Sequence, residues 1–365
     1  MKRLTCIPLF ALCIVSSTTA STTLTPNDTW ITPDNKDIQY VGRIDFSNPK
    51  RPAFNFPGVE IRAAFEGTSL KMMARPKSGY FMAQIDGCKA FKVGFNAEKD
   101  SVVTLATALQ AGRHTVQLMY CIEGLFRHPE FWGFVLDNGC QLLTPEPLEA
   151  RCIEFIGNSI TCGYGIESVN APDPFEEETE NHYMTYASIT SRNLHALHTS
   201  ISRSGIGVYR NYNGPKEGNA DPMPKEYIYT LFNDHSQLWD FSRYTPDVVC
   251  INLGTNDFST DNYDGKRYEE AYRLFLQQLR QYYPTQPIVL LTGPMLGEKE
   301  NSLQIKILDR IAKDFQKNGD KAIYRFSFTP QNGDLGYGAS WHPSAYQHQE
   351  MANELTPFLR DLMDW

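Results

Sequence analysis

The sequence predicts a β-sandwich followed by an α/β domain with a parallel sheet. Between residues 38 and 143, short runs with strand character are separated by turns, and no helical pattern comes between them. After residue 151, strand-like runs alternate with helical ones, which is typical of a parallel sheet with covering helices. At 365 residues, two domains are expected rather than one.

The predicted β domain covers residues 21–143. Residues 21–37 are rich in Thr, Pro, Asn and Asp and are expected to be a leader that joins this domain. The dipeptide Asp86-Gly87 is a hairpin signal. Regular short strands without helices indicate a sandwich or jelly roll. The predicted strand runs are Val59–Phe65, Tyr80–Ile85, Lys89–Phe95, Val102–Leu105, His114–Tyr120 and Phe131–Leu136.

Residues 144–151 contain two prolines and several charges and are predicted to be a linker to the α/β domain, residues 152–365. The apolar character of Val248–Leu253 and Ile288–Thr292 suits strands buried on both faces. The other strand runs are Cys152–Ile156 and His198–Ser202. Helical spacing is found at Thr185–Leu197, Tyr268–Tyr282, Ser302–Gly319 and Tyr346–Leu362.

The net charge and the N-terminal segment limit the possible partners and the cellular location. The net charge of −8 disfavours nucleic acid or an anionic membrane as partner and fits a neutral substrate. Residues 1–20 have two basic residues, an apolar run and a small residue at position 20, the pattern of a secretory signal. Cys13 raises the alternative of a lipid anchor, although bulky Leu12 precedes it. The protein is therefore expected to be secreted or periplasmic, without a transmembrane segment.

Six of the eight cysteines lie outside the predicted signal: Cys88, Cys121, Cys140, Cys152, Cys162 and Cys250. Their spacing shows no zinc-binding pattern. An exported compartment permits disulfides, so buried thiols and one disulfide both remain open.

Four sites follow predicted strands or precede the last helix. Ser159 follows the first strand of the α/β domain at a Gly157 turn, where it is either a nucleophile or, with Asn158, a helix cap. Gly205 offers a main-chain N–H or is a plain turn glycine. Asn256 offers an amide donor for an oxyanion or caps a turn. His342, held by the proline after it, is a candidate general base.

These four residues are expected to lie, in chain order, along the same end of one predicted parallel sheet. Acyl transfer needs a nucleophile, a base and donors for a tetrahedral oxyanion, which are the residue types present. The sequence therefore favours a hydrolase of the acyl-transfer class.

The blocks around these four residues resemble, in order, those of the SGNH (GDSL-like) hydrolases. The resemblance rests on Gly157-Asn-Ser-Ile-Thr161, Gly205, Gly254-Thr-Asn-Asp257 and His342-Pro343. Further segments are similar to carbohydrate esterase family 2: Tyr40–Phe46, Phe65–Ser69, Gly205–Tyr212 and Trp341–Ser344. This resemblance implies a jelly roll before a three-layer α/β/α domain, and an enzyme that removes acetyl groups from xylan or glucomannan.

The same resemblance implies a role for each residue. Ser159 would be the nucleophile and His342 the general base, while the N–H groups of Ser159 and Gly205 and the Asn256 side chain would form the oxyanion hole. Trp341, beside the histidine, would line the substrate cleft. No cofactor and no metal are implied. Three other aromatic residues, Tyr209, Tyr212 and Trp239, stay open between sugar stacking and core packing.

Two positions depart from the SGNH pattern. Asn158 replaces an Asp that supports the turn, and Ser340 stands where an Asp usually orients the histidine. We therefore predict a Ser-His dyad, with a main-chain carbonyl near Ser340 or Trp341 as acceptor for the histidine. Asp334 is the nearest acidic alternative in sequence.

The leading hypothesis is a secreted, monomeric esterase acting on an acetylated polysaccharide or oligosaccharide. One alternative is deacetylation of another glycan, such as a cell-wall or sialic-acid sugar. A different class of alternative is a carbohydrate-binding protein whose esterase site is vestigial, which the missing acid at position 340 favours. Fold alone does not decide among these.

Overall fold

The computed structural model describes residues 24, 26–125 and 127–365; the predicted signal, residues 1–20, lies outside them. Ten antiparallel strands form two sheets that share one core. The strands are β1 Thr29–Ile31, β2 Ile38–Val41, β3 Glu60–Gly67, β4 Leu70–Ala74, β5 Gly79–Ile85, β6 Phe91–Phe95, β7 Val102–Ala106, β8 Gly112–Tyr120, β9 Phe131–Leu136 and β10 Leu142–Leu143. One sheet has the order β1-β9-β4-β7, and the other β10-β3-β8-β5-β6 with β2 beside β3.

The predicted hairpin is confirmed. Strands β5 and β6 pair antiparallel around Asp86 and Gly87, which both have positive φ, 50° and 67°. Positive φ at both central residues is the mark of a type I′ turn, whose twist matches that of the strands.

Four strands of this domain, β1, β2, β4 and β10, have no counterpart among the predicted runs. Part of the expected leader is strand β1, which pairs with β9 from Thr29 to Ile31. Strand β4 also lacked a signal, since Leu70-Lys-Met-Met-Ala74 has no β-branched or aromatic residue. Its alternating burial between two partner strands comes from packing rather than from propensity.

Five parallel strands form the sheet of the second domain, in the order β12-β11-β15-β16-β17. They are β11 Arg151–Gly157, β12 Ala196–Ser202, β15 Val248–Asn252, β16 Ile288–Thr292 and β17 Ile323–Ser327, with a separate hairpin of β13 Tyr229–Leu231 and β14 Asp234–Leu238. The order in which strands are added reverses beside β11: β12 lies on one side of it, and β15, β16 and β17 follow on the other side. Doubly wound sheets bind ligands at the carboxyl ends of the strands at this point.

Helices cover both faces of the sheet, which makes three layers and confirms the predicted fold class. The helices are α1 Ser159–Cys162, α2 Tyr186–Asn193, α3 Met223–Glu226, α4 Gly265–Tyr282, α5 Glu298–Lys317 and α6 Ala345–Met363. Buried residues of α4 and α5 pack in one cluster with Ile156 and Ile251. Those of α2 and α6 pack in another cluster with Ile153 and Phe155. Among the described residues, no helix has both the length and the apolar character needed to span a bilayer.

The sequence prediction differs from the structure at several places in this domain, and the β13–β14 hairpin was not predicted at all. Helix α2 ends at Asn193 rather than Leu197, because His195 has a positive φ of 51° and the next strand begins at Ala196. Arg151, expected in the linker, starts β11. Strand β17 was missed, because it is a partly exposed edge strand and contains Arg325.

Five of the cysteines outside the predicted signal are thiols rather than disulfide partners in the described structure: Cys121, Cys140, Cys152, Cys162 and Cys250. Burial raises the pKa of Cys250 and of Cys162, which keeps both thiols protonated. Of the two readings left open, thiols are found.

The β domain is hydrogen-bonded to the loops of the α/β domain. Asn55 makes two reciprocal bonds with the main chain of Phe232, at 2.7 and 2.8 Å. Arg43 is buried and donates to the carbonyl oxygens of Tyr227 and Tyr229. Buried polar contacts of this kind keep the two domains in one orientation, since separating them would leave these groups unpaired.

Candidate active site

Ser159 lies at the first turn after strand β11. A β-carbon at Gly157 would overlap the Thr161 side chain, so only glycine fits where the strand turns into helix α1. Asn158 is the N-cap, and its side chain accepts from the Ile160 N–H at 3.1 Å. The capping role considered for Ser159 therefore belongs to Asn158, which leaves the serine hydroxyl available.

The structure brings Ser159 and His342 together. The distance from Ser159 Oγ to His342 Nε2 is 2.9 Å. His342 lies just after a 3₁₀ turn, Ala339–Trp341, that precedes helix α6. This distance is within the range for a nucleophile and its base.

Main-chain carbonyls orient the histidine. His342 Nδ1 lies 3.1 Å from the carbonyl oxygen of Ala339 and 3.3 Å from that of Ser340. Since carbonyl oxygens only accept, Nδ1 carries the proton, and Nε2 is free to accept from the serine hydroxyl. Asp334 does not take this place, because its carboxylate accepts from Asn332 at 2.7 Å instead.

The turn that presents these carbonyls has an unusual backbone. Ser340 and Trp341 have φ of 51° and 58°, in the left-handed region that most residues avoid. Their N–H groups donate to the carbonyl oxygens of Asp173 and Ala171, at 3.0 and 3.1 Å. The neighbouring segment therefore holds the turn in this conformation.

An aromatic stack covers the histidine ring. The ring of Tyr164 stacks on His342, with centroids 4.1 Å apart and an angle of 27° between planes. Phe175 stacks on Tyr164 at 4.3 Å. Sequence reasoning missed both residues, although the run Gly163-Tyr164-Gly165 was a signal for close packing. At Gly165 a β-carbon would overlap Ala339, so the loop packs directly on the histidine turn.

The environment lowers the basicity of the histidine. Burial lowers the pKa of His342 from 6.5 to about 4, and hydrogen bonds to Ala339 and Ser340 oppose this shift. The ring is therefore neutral at pH 7, the state in which an imidazole nitrogen can accept a proton.

Gly205 and Ser159 each present an N–H group at the same edge of the sheet. Gly157, Ser202 and Asn252 are aligned in neighbouring strands, so the loops that follow them start side by side. In the part of the chain that the structure describes, the N–H groups of Ser159 and Gly205 have no hydrogen-bond partner. Gly205 has a φ of 77°, which explains the glycine.

Asn256 is buried and reaches the Gly205 loop. Its Nδ2 donates to the carbonyl oxygen of Ile206 at 2.8 Å, which leaves its second N–H for another acceptor. The next residue, Asp257, accepts from the N–H groups of Val208 and Tyr209. The loop that contains Gly205 and the loop that contains Asn256 are thus hydrogen-bonded to each other.

The aromatic residues divide by exposure. Trp341 and Tyr212 are 56% and 66% exposed, and Tyr212 donates its N–H to the carbonyl oxygen of Gly205 at 2.7 Å. Tyr209 and Trp239 are buried, so core packing accounts for both. Of these two exposed residues, Trp341 directly precedes His342 in the chain, and Tyr212 is bonded to Gly205.

Comparison with known proteins agrees with this architecture. The model of the carbohydrate esterase 2 N-terminal domain matches residues 40–146, and the GDSL-like lipase/acylhydrolase model matches residues 153–355. The chain belongs to carbohydrate esterase family 2. It is thus a carbohydrate esterase of the acetylxylan esterase-like kind.

Two curated relatives and one solved structure give the degree of similarity. The cellulase/esterase CelE of Acetivibrio thermocellus is 39% identical over 91% of this chain, which spans 40% of that protein's length. An acetylxylan esterase/glucomannan deacetylase of Cellvibrio japonicus is 30% identical, over 90% of this chain and 89% of that one. The structure of a family two carbohydrate esterase from Clostridium thermocellum in complex with cellohexaose is 38% identical, with a TM-score of 0.83, covering 90% and 99% of the two chains.

Proposed function

We propose that this carbohydrate esterase is a secreted O-acetyl esterase that deacetylates hemicellulose, xylan or glucomannan, through an acetyl-enzyme intermediate. The observation that carries the proposal is the 2.9 Å contact between Ser159 Oγ and a His342 ring whose Nδ1 faces two carbonyls. The name of the Cellvibrio japonicus relative supports the substrate class.

In the first half-reaction, Ser159 Oγ attacks the acetyl carbonyl carbon while His342 Nε2 takes the hydroxyl proton. The carbonyl oxygen becomes an oxyanion, which the N–H groups of Ser159 and Gly205 and the Asn256 amide stabilise. His342 then returns the proton to the sugar oxygen, the C–O bond to the sugar breaks, and the deacetylated glycan leaves.

In the second half-reaction, water takes the position of the sugar hydroxyl. His342 removes one proton from this water as it attacks the acetyl group, and the same donors hold the second oxyanion. The proton returns to Ser159 Oγ as acetic acid departs, and the acid then releases its own proton to the solvent. No cofactor or metal is required, because each proton moves between the substrate, water, Ser159 and His342.

The two carbonyl acceptors take over the task of the missing acid. In a serine protease triad, replacement of the aspartate reduces turnover about 10⁴-fold because the histidine adopts the wrong tautomer. Here Ala339 and Ser340 fix the tautomer through main-chain oxygens. In the part of the chain that the structure describes, the hydrogen-bond acceptors of His342 Nδ1 are these carbonyls and not a carboxylate.

Trp341 and Tyr212 support a saccharide substrate. Both residues are exposed, Trp341 next to His342 in sequence and Tyr212 bonded to Gly205. Exposed aromatic rings provide apolar faces on which sugar rings stack. The net charge of −8 fits a neutral polysaccharide or oligosaccharide rather than nucleic acid or an anionic membrane. The proposal includes export through the segment 1–20 and action as a monomer.

Acetate release from acetylated xylan, acetylated glucomannan and acetylated peptidoglycan tests the proposal. We expect the wild type to deacetylate the first two, and Ser159→Ala to lose activity on all substrates. Preference for the peptidoglycan would favour the cell-wall alternative. If wild type and variant are both inactive but bind cellohexaose equally, the protein is a binding module instead.

A further inference from the structure

A buried carboxylate of the β domain contacts the oxyanion loop. Glu123 lies in the segment between strands β8 and β9, and its Oε2 accepts from the Ser204 N–H at 2.6 Å. Ser204 immediately precedes Gly205. The side chain of Glu123 is almost fully buried, so this hydrogen bond is shielded from water.

Two further acidic groups lie around Glu123. The ligand atoms of Glu123, Glu180 and Cys162 all lie within 4.8 Å of one another, and all three residues are buried. Glu180 Oε2 accepts from the Glu123 N–H at 3.3 Å, while its Oε1 has no partner. Cys162, in the same helix as Ser159, lies 3.8 Å from Glu123 Oε2.

The charges of this cluster follow from burial and proximity. Burial and the neighbouring Glu123 raise the pKa of Glu180 well above its usual value, so Glu180 is protonated. Burial also raises the pKa of Glu123, but the hydrogen bonds from Ser204 oppose the shift. The geometry makes Glu123 the acceptor for Ser204, because its Oε2 lies 2.6 Å from that N–H group.

We propose that Glu123 is a positioning residue for the oxyanion hole, through its bond to the main chain next to Gly205. The inference rests on the proposed function, because it concerns the Gly205 donor of the same reaction. It also gives the β domain a part in the chemistry that does not involve contact with substrate.

The other bonds of the loop explain why this one matters. On the far side of Gly205, Tyr212 donates to the Gly205 carbonyl and Asn256 to that of Ile206. On the near side, the Arg203 N–H reaches the Gly157 carbonyl only at 3.4 Å. The Ser204–Glu123 bond is the short bond on that side. Without it, the near side keeps only the longer Arg203–Gly157 main-chain bond and the side-chain bonds of Arg203 to Asn233 and Asp221, at 3.3 and 3.2 Å.

Glu123→Ala, Glu123→Asp and Glu123→Gln separate this role from a purely structural one. Gln keeps an oxygen that accepts from Ser204 and gains an N–H for the unpartnered Glu180 Oε1. Asp keeps the charge but is one methylene too short to reach. Glu60→Ala is the matched control, because Glu60 is a buried carboxylate of the same domain, bonded to Arg62 and Gln117 instead.

We expect kcat for 4-nitrophenyl acetate to fall on the order of 10- to 100-fold in the Ala and Asp variants, with KM unchanged, since an oxyanion donor is displaced. Glu123→Gln restores kcat to within about three-fold of the wild type, because one acceptor oxygen suffices for the bond. Glu60→Ala lowers the thermal midpoint and leaves kcat unchanged.

Hydrogen exchange of the peptide that contains Ser204 supplies a readout without catalysis. The Ser204 amide should exchange faster in the Ala and Asp variants, and at the wild-type rate in Gln. Unchanged exchange and unchanged kcat in both Ala and Asp variants would overturn the inference. An inactive wild type with these exchange differences would instead reject the proposed function alone.

Discussion

Asn256 donates its side-chain amide to the main-chain carbonyl of Ile206 at 2.8 Å. The bond joins the loop after β15 to the loop after β12, and so places an amide beside the Gly205 N–H. One N–H of the Asn256 side chain therefore holds the Gly205 loop in place, while the other is available to an oxyanion.

Replacement of Asn256 tests this double role. Asn256→Ala should reduce kcat roughly 10²- to 10³-fold, as removal of one oxyanion donor does elsewhere, with KM little changed. Asn256→Asp is the matched variant, because it keeps the shape but has no N–H to donate, and it should lose as much. Steady-state kinetics with an acetyl ester gives both constants. An effect of only a few-fold in either variant excludes Asn256 from the oxyanion hole.

Restoring the missing acid at position 340 should not build a triad. The hydroxyl of Ser340 points to the carbonyl oxygen of Asp173, at 3.4 Å, whereas the carbonyl of Ser340 faces the His342 ring. In Ser340→Asp the carboxylate would therefore meet a carbonyl oxygen, and two acceptors repel. We expect a lower thermal midpoint and no gain in kcat.

Ser340→Asn separates charge from shape at the same position. Its amide N–H can donate to the Asp173 carbonyl, and Asn tolerates the left-handed backbone. It should keep the wild-type midpoint. A rise in kcat for Ser340→Asp, with a raised pKa in the acid limb of the rate profile, would show that the loop rearranges to form a triad.

Buried histidines predict a loss of stability in acid. Burial lowers the pKa of His348 to about 3, and its Nδ1 accepts from the Tyr186 N–H at 3.2 Å. Between pH 6.5 and about 3 the unfolded chain binds this proton and the folded chain does not, so stability is lost as the pH falls through this window. At pH 5 the cost is about 2 kcal/mol for an unfolded pKa of about 6.5.

His348→Asn isolates that contribution, because its side-chain oxygen still accepts from Tyr186 and does not titrate. Urea unfolding of both proteins at pH 7.5 and pH 5 measures it. Relative to the wild type, the variant should gain about 2 kcal/mol between the two values. An equal pH dependence in both proteins would mean that His348 is protonated in the folded state.

The sequence was most informative at positions where the local backbone or packing accepts only one type of residue. Gly157 and Gly205 marked turns whose backbone or packing excludes other residues, and Val248–Asn252 was apolar throughout because both faces are buried. The prediction of a carbonyl near Ser340 also came from an absence, since no acid stood two residues before the histidine.

Contacts between segments that are distant in sequence could not be predicted from the sequence. Glu123 lies 81 residues from Ser204, and its burial depends on how two domains meet. The Tyr164–His342 stack joins residues of different loops, and a tyrosine between two glycines gives no hint of its partner. Strand β1 was missed for the same reason, because β9, the strand with which it pairs in the described structure, lies far along the chain.

The main-chain acceptors of His342 alter how the site responds to mutation. A catalytic aspartate is lost when that one residue is substituted. A main-chain carbonyl, in contrast, is present whatever side chain residue 339 or 340 carries. The vulnerable positions are instead those that set the path of the backbone, such as Gly165, on which the Ala339 turn packs. A search for a third catalytic side chain would therefore find a gap here, although the tautomer of the histidine is fixed by the shape of the chain.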